Sequence, residues 1–447
     1  MIKFTEENET IENETCRAIL VGIQLDGDIG RSMDELAALA EAAGACVIGE
    51  LTQARDAPDR ATYLGKGKAE EVGELCRDMD ADAVICNDEL SGAQIRNLED
   101  ATGVRVIDRT ALILDIFARR ASSKEGRLQV ELAQLQYRLP RLTGLGKSLS
   151  RLGGGIGTRG PGEKKLETDR RHIARRMDEI KKELREFGAQ REVRRSRRKR
   201  NDVPVAALVG YTNSGKSAIM NSVLAMTGNE DKQVLEKDML FATLDTFQRR
   251  IKLQDNSEFV LEDTVGFVSK LPHGLVKAFK ATLEEVVEAD LLIHVIDASY
   301  DDQGFHIKVV EDVLAELGAS GKDVIKVFNK IDLLDASSGA HVGEPSLLIG
   351  GAAGGNGGAI ALSAKRGDNM GLLLEQVRER LFADMREAEL LIPFSRGDIV
   401  AYLKDAAHVD ELEYVEEGTR VRARLAKADY DRLAAFAHGR PDAPGEK

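Results

Sequence analysis

Short apolar runs alternate with helical patterns along residues 17–118. The apolar runs predict four strands, at Arg17–Ile23, Ala45–Thr52, Ala83–Asn87 and Val104–Asp108. The stretches between them have the period of amphipathic helices, and Ser32 followed by Glu35 predicts a capping box at the start of the first helix. Because strands that alternate with helices form parallel sheets, residues 1–118 are predicted to be a small parallel α/β domain.

Residues 119–200 carry two apolar stripes with helical spacing. The first stripe consists of Leu128, Leu132, Leu135 and Leu139, and the second of Leu166, Ile173, Met177, Ile180, Leu184 and Phe187. Two helices with facing apolar stripes predict an antiparallel hairpin. The connector Gly144–Gly162 contains eight glycines together with Lys147, Arg151 and Arg159, and it lies at the predicted tip.

Strands and helices alternate again over residues 201–385, which are predicted to form a third, mostly parallel α/β domain. Within it, Ala336–Gly358 is rich in Gly, Ala and Ser and is predicted to be a disordered surface insertion. Residues 386–447 form a smaller fourth domain with a strand-helix-strand-strand-helix pattern. Its predicted strands are Leu390–Phe394, Glu411–Val415 and Arg420–Leu425.

Charge is distributed unevenly along the 447 residues. The whole chain carries a net charge of −13, yet residues 119–200 contain 25 basic and 10 acidic residues, so the hairpin is at +15 and the remainder at −28. A basic segment on an acidic protein indicates a local contact with a polyanion. The alternative is a solvated helical surface whose charges pair along the helix. At the tip, arginines among glycines favour RNA contact over a passive linker.

Composition excludes several protein classes. A hydrophobic content of 43% is typical of soluble globular proteins, and no apolar run is long enough to span a membrane. The acidic N-terminus lacks the apolar segment of a secretory signal. The four cysteines, Cys16, Cys46, Cys76 and Cys86, are widely spaced and are expected to be reduced thiols in a cytoplasmic protein, with peripheral membrane association left open.

The apolar run Val203–Val209 leads directly into a phosphate-binding loop pattern, followed by a helical sequence from Ala218. The eight residues of the pattern are Gly210, Tyr211, Thr212, Asn213, Ser214, Gly215, Lys216 and Ser217. Backbone N–H groups at a helix start bind phosphate, the lysine reaches the β- and γ-phosphates, and the serine hydroxyl can bind Mg²⁺. This strand-loop-helix context indicates a P-loop nucleotide site.

Guanine specificity is predicted by a second motif, Asn329, Lys330, Ile331 and Asp332, at the end of the predicted strand Asp323–Phe328. The Asp332 carboxylate can accept hydrogen bonds from N1–H and the exocyclic amine of guanine, which adenine does not offer. Lys330 can lie over the base. The far edge of the base would be covered by Ser363, Ala364 and Lys365.

Two further segments are expected to sense the γ-phosphate. The first is Asp263, Thr264, Val265 and Gly266, where Asp263 would hold Mg²⁺ and the Gly266 N–H would meet the phosphate. The second is Phe241, Ala242, Thr243, Leu244 and Asp245, in which Thr243 is the candidate for a second hydroxyl on Mg²⁺ and Thr246 is its rival. Lys216, Thr243 and Gly266 are the candidate catalytic residues.

The position after Asp263–Gly266, where many signalling GTPases carry a water-orienting glutamine, is Phe267. A phenylalanine cannot orient water, so slow hydrolysis that a partner accelerates is expected. The alternative is substitution by another side chain of this chain, with Gln248, Arg249 and Arg250 as candidates. A second glycine-lysine segment, Tyr63–Lys68, is either a phosphate site, which would suit an ATP-driven RNA remodeller, or a plain turn before a helix.

The sequence resembles the HflX family of ribosome-associated GTPases. The resemblance extends over residues 17–435 and is carried by Tyr63–Lys68, by Gly126–Tyr137 leading to Arg159–Glu163, and by Gly210–Ser217 with Phe241–Asp245. It implies a multidomain α/β fold: a parallel α/β domain (1–118), a basic helical hairpin (119–200), a P-loop GTPase domain (201–385) and a ferredoxin-like α+β domain (386–447).

The same resemblance implies a monomeric, cytoplasmic GTPase with Mg²⁺ as cofactor and GTP or GDP as ligand. Its implied partner is the large ribosomal subunit, and the hairpin tip would approach the ribosomal RNA near the peptidyl-transferase region. The candidate RNA contacts are Arg151, Gly153, Gly154, Gly155, Arg159 and Gly160. Splitting or rescue of stalled ribosomes is the implied role, and a nucleotide switch that docks on another protein is the alternative.

Overall fold

The computed structural model describes residues 15–142 (except 26 and 28), 161–200, 203–228, 247–338 (except 256 and 271–279) and 359–437 (except 384, 385 and 426). The chain divides into two compact units. Described residues of the first unit fall within Met1–Gly188 and Val268–Lys280, and those of the second within Ala189–Lys237, Thr246–Phe267 and Ala281–Lys447.

The first unit contains a four-stranded parallel sheet with strand order β2-β1-β3-β4. The sheet confirms the predicted parallel α/β architecture, with strand ends that differ from the sequence prediction by two residues at most. In chain order its elements are β1 (Cys16–Gln24), α1 (Gly30–Ala42), β2 (Ala45–Ala54), α2 (Lys66–Asp78), β3 (Ala83–Cys86), α3 (Gly92–Thr102), β4 (Arg105–Asp108) and α4 (Arg109–Arg120).

The predicted hairpin follows as α5 (Lys124–Arg141) and α6 (Pro161–Arg200). Their apolar stripes pack together around Leu128, Leu132 and Ile180, which are buried. An ion pair also joins the helices, because both carboxylate oxygens of Glu131 accept hydrogen bonds from the Arg176 guanidinium, at 2.8 and 2.9 Å. The sequence pattern therefore predicted both the pairing and the faces that meet.

The second unit is built on a six-stranded sheet with order β10-β9-β8-β5-β7-β6, parallel except for the β6 edge. A mostly parallel sheet confirms the predicted fold class. The elements are β5 (Val205–Gly210), α7 (Lys216–Met226), β6 (Phe247–Lys252), β7 (Glu258–Asp263), α8 (Lys280–Glu288), β8 (Leu291–Asp297), α9 (Gln303–Glu316), β9 (Asp323–Asn329), α10 (Ile331–Ser338), β10 (Ile360–Ala361) and α11 (Met370–Leu381).

The end of the chain forms a three-stranded antiparallel sheet in the order β11-β13-β12, with an apolar core beneath it. This small α+β region agrees with the predicted strand-helix-strand-strand-helix pattern. Its elements are β11 (Arg386–Ile392), α12 (Gly397–Ala406), β12 (His408–Val415), β13 (Gly418–Leu425) and α13 (Lys427–Leu433).

The predicted capping box at Ser32 is wrong. Helix α1 begins at Gly30, so Ser32 lies inside its first turn, where its hydroxyl donates to Asn87 at 3.1 Å. The carboxylate of Glu35 forms an ion pair with the buried guanidinium of Arg109 instead of reaching back along the helix. Both side chains therefore bind residues that are distant in the sequence, and neither caps the helix. A capping box does occur at α3, where Ser91 and Gln94 exchange hydrogen bonds.

The predicted disordered insertion begins too early. Residues 336–338 belong to α10, and residues 339–358 lie outside the described residues. Alanine and serine are compatible with a helix, so a composition rich in Gly, Ala and Ser does not mark where the helix ends. The division into four domains at 118, 200 and 385 remains a prediction. Within the described residues, no helix combines the length and apolar character of a membrane span.

Candidate functional site

The loop between β5 and α7 has the conformation that its glycines allow. Gly215 has φ +93°, and a Cβ there would lie 2.1 Å from the side-chain nitrogen of Asn329. A Cβ on Gly210 would lie 2.3 Å from the backbone oxygen of Val295. Gly210 is therefore required by the close approach of the neighbouring strand β8, and Gly215 by the Asn329 side chain and by its own left-handed backbone.

The ammonium group of Lys216 lies inside this loop. It donates hydrogen bonds to the backbone oxygens of Gly210 and Tyr211, at 3.2 and 2.9 Å. Burial lowers the pKa of Lys216 to about 8, opposed by the carboxylate of Asp263 and reinforced by the charge of Lys330. A buried ammonium group in this loop is suited to bind an anion, because the anion would offset the free-energy cost of removing the charge from water.

The hydroxyl of Ser217 donates a 2.6 Å hydrogen bond to the carboxylate of Asp263, at the end of β7. A hydroxyl and a carboxylate at this separation are the hard oxygen donors that Mg²⁺ prefers. Among the described residues, no group of three or more His, Cys, Asp or Glu side chains could hold a metal ion. A metal ion at this position would therefore depend on phosphate oxygens and water for its remaining ligands.

The segment that follows Asp263 forms backbone hydrogen bonds with the phosphate loop. Phe267 accepts a 2.7 Å hydrogen bond from the Thr212 N–H, and its own N–H donates to the Gly210 oxygen at 3.1 Å. A Cβ on Gly266 would lie 2.7 Å from the Thr212 Cα, so only glycine fits there. The Phe267 ring is 2% exposed.

Asn329 and Ser214 connect the loop to the second predicted motif. The side-chain nitrogen of Asn329 donates to the backbone oxygen of Ser214 at 3.0 Å, and its side-chain oxygen accepts from the Ala364 N–H at 3.0 Å. Asp332 accepts a 2.7 Å hydrogen bond from the Ser363 hydroxyl. Four separate segments of the chain thus meet at the carboxyl ends of β5, β7 and β9.

Lys330 is held by a residue that the sequence analysis did not single out. It has φ +67°, and its ammonium group forms a 2.9 Å ion pair with Asp297 at the end of β8. Asp297 is the last residue of a buried strand that is parallel to β9, and this strand-end position was the available sequence signal. Arg366 was also missed; its guanidinium donates to the Asp332 backbone oxygen at 3.3 Å.

Several predicted site residues cannot be placed. Two predicted segments lie outside the described residues: Phe241–Asp245 with Thr243 and its rival Thr246, and the tip residues Arg151–Gly160.

Two of the proposed substitutes for a catalytic glutamine have partners in the structure. The Gln248 side chain donates a hydrogen bond to Glu285 at 3.2 Å, and Arg250 forms an ion pair with Glu258 at 3.3 Å.

The glycine-lysine segment Tyr63–Lys68 is the turn before α2 and its first residues, as the plain-turn alternative predicted. Gly65 is the residue that precedes the helix, and Tyr63 is buried with its hydroxyl 2.5 Å from Asp88. Lys68 forms a 2.8 Å ion pair with Glu71, three residues further along the helix.

Three family profiles match the chain. They are described as GTP-binding GTPase N-terminal over residues 30–118, GTP-binding GTPase Middle Region over residues 120–198, and 50S ribosome-binding GTPase over residues 205–330. The three matches follow one another along the chain without overlap.

Two named relatives align along nearly the whole length. GTPase HflX of Caldanaerobacter subterraneus is 49% identical over 428 residues, covering 96% of this chain and 95% of that protein. GTPase HflX of Escherichia coli is 40% identical, covering 93% and 95%. A structure of SsGBP with GDP is similar at 26% identity and a TM-score of 0.46, covering 81% and 98%. The identity to the two HflX proteins, over nearly the whole chain, shows common family membership. This chain is therefore a P-loop GTPase that belongs to the HflX family.

Proposed function

We propose that this chain binds the large ribosomal subunit and uses GTP binding and hydrolysis to cycle on and off it, splitting or rescuing stalled or idle ribosomes. The observation that carries the proposal is the meeting of four motif segments at one sheet edge, in a chain that also has a strongly basic hairpin. The name of the family profile over residues 205–330, 50S ribosome-binding GTPase, supports the partner.

The phosphates of the nucleotide rest on the Gly210–Ser217 loop, where backbone N–H groups at the start of α7 and the Lys216 ammonium meet them. The base lies against Lys330, and the Asp332 carboxylate accepts hydrogen bonds from guanine. Ser363 already donates to one oxygen of that carboxylate and holds its orientation. Adenine would leave the rest of this buried carboxylate's acceptor capacity without a partner, which explains the preference for guanine.

Mg²⁺ is the proposed cofactor, and it neutralises charge on the phosphates when bound. The Ser217 hydroxyl and the Asp263 carboxylate are the groups that would hold it, the latter through water. Asp263 is fully buried at the end of β7, so its position is fixed by the sheet. Thr243 remains the proposed second hydroxyl ligand. Lys216, Thr243 and the Gly266 N–H are the proposed catalytic groups.

The ribosome is the proposed source of the missing catalytic group. The buried ring of Phe267 has no polar atom with which to orient water, so hydrolysis by the chain alone is expected to be slow. A partner that contacts the Asp263–Gly266 segment could supply a polar group or reposition this segment. The expected result is a large difference between GTP turnover with and without ribosomes.

The basic hairpin is the proposed contact with ribosomal RNA near the peptidyl-transferase region. Ten acidic residues cannot neutralise 25 basic ones, so the hairpin keeps a net positive charge even if every acidic residue is paired. Some of the pairing joins the two helices of the hairpin, as the exposed Lys124–Glu183 ion pair at 2.9 Å does. The proposed tip contacts are Arg151, Gly153, Gly154, Gly155, Arg159 and Gly160. The protein would act as a cytoplasmic monomer.

GTP turnover measured with and without purified large subunits tests the proposal. Turnover should rise steeply with added subunits and saturate. Deletion of residues 153–162 should abolish that rise while leaving GTP affinity unchanged, because the tip is remote in sequence from the nucleotide motifs. Substituting both Arg151 and Arg159 with Gln should weaken the stimulation and make it more sensitive to salt.

Sedimentation with a non-hydrolysable GTP analogue distinguishes the ribosome from another protein as the partner of this chain. Migration with the large subunit at low salt supports the proposal. Failure to migrate with the subunit, together with unchanged turnover, would contradict it and would favour a nucleotide switch that docks on another protein. Stimulation that survives the tip deletion would show that the tip is only a linker.

A further inference from the structure

Three aromatic rings form a column beside the phosphate loop. The ring of His306 lies between those of Tyr211 and Tyr300, with centroid distances of 3.8 and 4.0 Å and interplanar angles of 15° and 20°. Tyr211 belongs to the loop, His306 to α9, and Tyr300 to the turn between β8 and α9. We call these three residues the aromatic column.

One end of the column is joined to the groups proposed to bind phosphate. The Tyr211 backbone oxygen accepts the 2.9 Å hydrogen bond from Lys216. On either side of Tyr211, the Gly210 oxygen accepts a hydrogen bond from the Phe267 N–H and the Thr212 N–H donates one to the Phe267 oxygen, directly after the Asp263–Gly266 segment. The Tyr211 ring is 6% exposed, so a displacement of the ring would displace this backbone and the carbonyl that holds the ammonium.

The other end of the column is joined to the residues proposed to bind the base. Tyr300 is part of a turn in which its N–H donates to the Asp297 backbone oxygen at 3.4 Å. The turn is held further by a 2.8 Å hydrogen bond from the Gln303 side chain to the Ala298 oxygen. The Asp297 carboxylate in turn holds Lys330 at 2.9 Å. The column therefore extends from the base side to the phosphate side of the site.

We propose that His306 is a positioning residue for nucleotide binding: by stacking between Tyr211 and Tyr300, it holds the phosphate loop in the conformation in which the Gly210 and Tyr211 carbonyls support the Lys216 ammonium. The inference rests on the proposed nucleotide site. Stacking of flat rings restricts tilting at small entropic cost, whereas an aliphatic side chain of similar size does not.

Equilibrium binding of GTP and GDP to three variants tests the role of the ring. His306→Leu should raise the Kd for both nucleotides about tenfold, as expected from the loss of two stacked contacts. His306→Phe keeps a planar ring and should restore the Kd to within about threefold of the wild type. Phe305→Leu is the matched control, because that neighbouring ring is tilted at 6.0 Å from His306 and lies outside the column.

Measurement of GTP turnover distinguishes a positioning role of His306 from a general loss of structure in His306→Leu. At saturating GTP the kcat of His306→Leu should stay within about twofold of the wild type while KM rises, because the bound phosphates themselves reorder the loop. Thermal unfolding without nucleotide should be close to that of the control. If His306→Leu does not fold, Tyr300→Leu at the other end of the column gives the same comparison.

Wild-type affinity in His306→Leu would overturn the inference, and so would an equal loss in His306→Phe. A Tyr211→Leu, His306→Leu double variant should be no weaker than the weaker single variant, and additive losses would contradict a shared column. Lys216→Ala serves as the reference. If it binds GTP normally, the proposed nucleotide site itself fails; if it does not bind and His306→Leu binds with wild-type affinity, only the column is wrong.

Discussion

The side-chain nitrogen of Asn329 lies 3.0 Å from the backbone oxygen of Ser214 and donates a hydrogen bond to it. Asn329 ends β9, and Ser214 belongs to the loop that follows β5, so the bond joins positions 115 residues apart. The other side-chain atom, the oxygen, is held by the N–H of Ala364. One buried amide therefore links the phosphate loop to the segment proposed to cover the base.

Asn329→Ala should weaken both the fold and nucleotide binding. The substitution leaves the Ser214 oxygen and the Ala364 N–H without this partner inside the protein, which costs about 1–3 kcal/mol for each buried polar group. The free energy of unfolding in urea should fall accordingly, and the Kd for GDP should rise by more than about tenfold. Asn369→Gly is the control, because Asn369 bonds the Ala361 oxygen away from the loop. Equal effects of the two substitutions on Kd would contradict the link.

Nucleotide affinity should decline in alkaline solution because of Lys216. Burial gives its ammonium a pKa of about 8, below the ordinary value of 10.5, so the neutral form dominates above this pH in the free protein. Phosphate binding requires the charged form. The Kd for GTP should therefore rise as pH increases through about 8, approaching about tenfold per pH unit beyond it. Fluorescent GTP titrations between pH 7 and 9.5 measure this dependence.

Lys216→Arg provides the control for the alkaline decline, because a guanidinium remains protonated across that range. The variant should bind more weakly than the wild type at pH 7, since its planar group does not match the lysine position. Its Kd should nevertheless be nearly independent of pH. A decline as steep as that of the wild type would assign the titration to another group.

Asp332→Asn should change the preferred base from guanine to xanthine. An asparagine keeps one acceptor for N1–H but offers an N–H donor in place of the second acceptor, which suits the 2-oxo group of xanthine and opposes the amine of guanine. GTP affinity should fall by at least about a hundredfold, and xanthosine triphosphate should become the better ligand. Competition binding with both nucleotides measures the change, and an unaltered preference for GTP would place the base elsewhere.

His294 should make the protein less stable in mildly acidic solution. It lies on β8 and is 2% exposed; burial, reinforced by the charges of Lys326 and Lys216, lowers its pKa from 6.5 to about 3. Because the unfolded chain binds the proton more readily, this contribution to stability is complete above pH 6.5 and is lost as pH falls toward 3. At pH 5.5 the loss is about 1.4 kcal/mol.

Comparison with His294→Leu isolates this effect from other titrating groups. The wild type should lose more free energy of unfolding between pH 7.5 and 5.5 than the variant does, by about 1.4 kcal/mol. Urea denaturation at both pH values provides the measurement. Parallel pH profiles of the two proteins would show that His294 keeps an ordinary pKa in the folded state.

Much of the architecture was predictable because the spacing of apolar residues along the sequence indicates which side of a strand or helix is buried. Strands β1–β4 were located within two residues, and the helical hairpin was identified with the faces that pack, since apolar residues at fixed spacing must share a covered side. The capping box at Ser32 failed because a local motif competes with tertiary partners, here Asn87 and Arg109, that lie far away in the sequence.

The nucleotide motifs were recognisable because their chemistry requires particular residues at particular spacings. Asp297, Tyr300 and His306 were not, since an aspartate at a strand end, a tyrosine in a turn and a histidine on a helix have no spacing that marks them. Only pairing between β8 and β9 brings Asp297 opposite Asn329 and within reach of Lys330.

Sequence by itself determined which segments become strands and helices, where the positive charge is concentrated, and which loop is suited to phosphate, because these properties depend on residues close together along the chain. Tertiary structure alone decided that the amide of Asn329 holds Ser214, that Asp297 holds Lys330, and that His306 stacks on Tyr211. Hydrogen bonds and ring stacking act over a few ångströms, so contacts between distant segments exist only once the parallel sheet has aligned its strand ends.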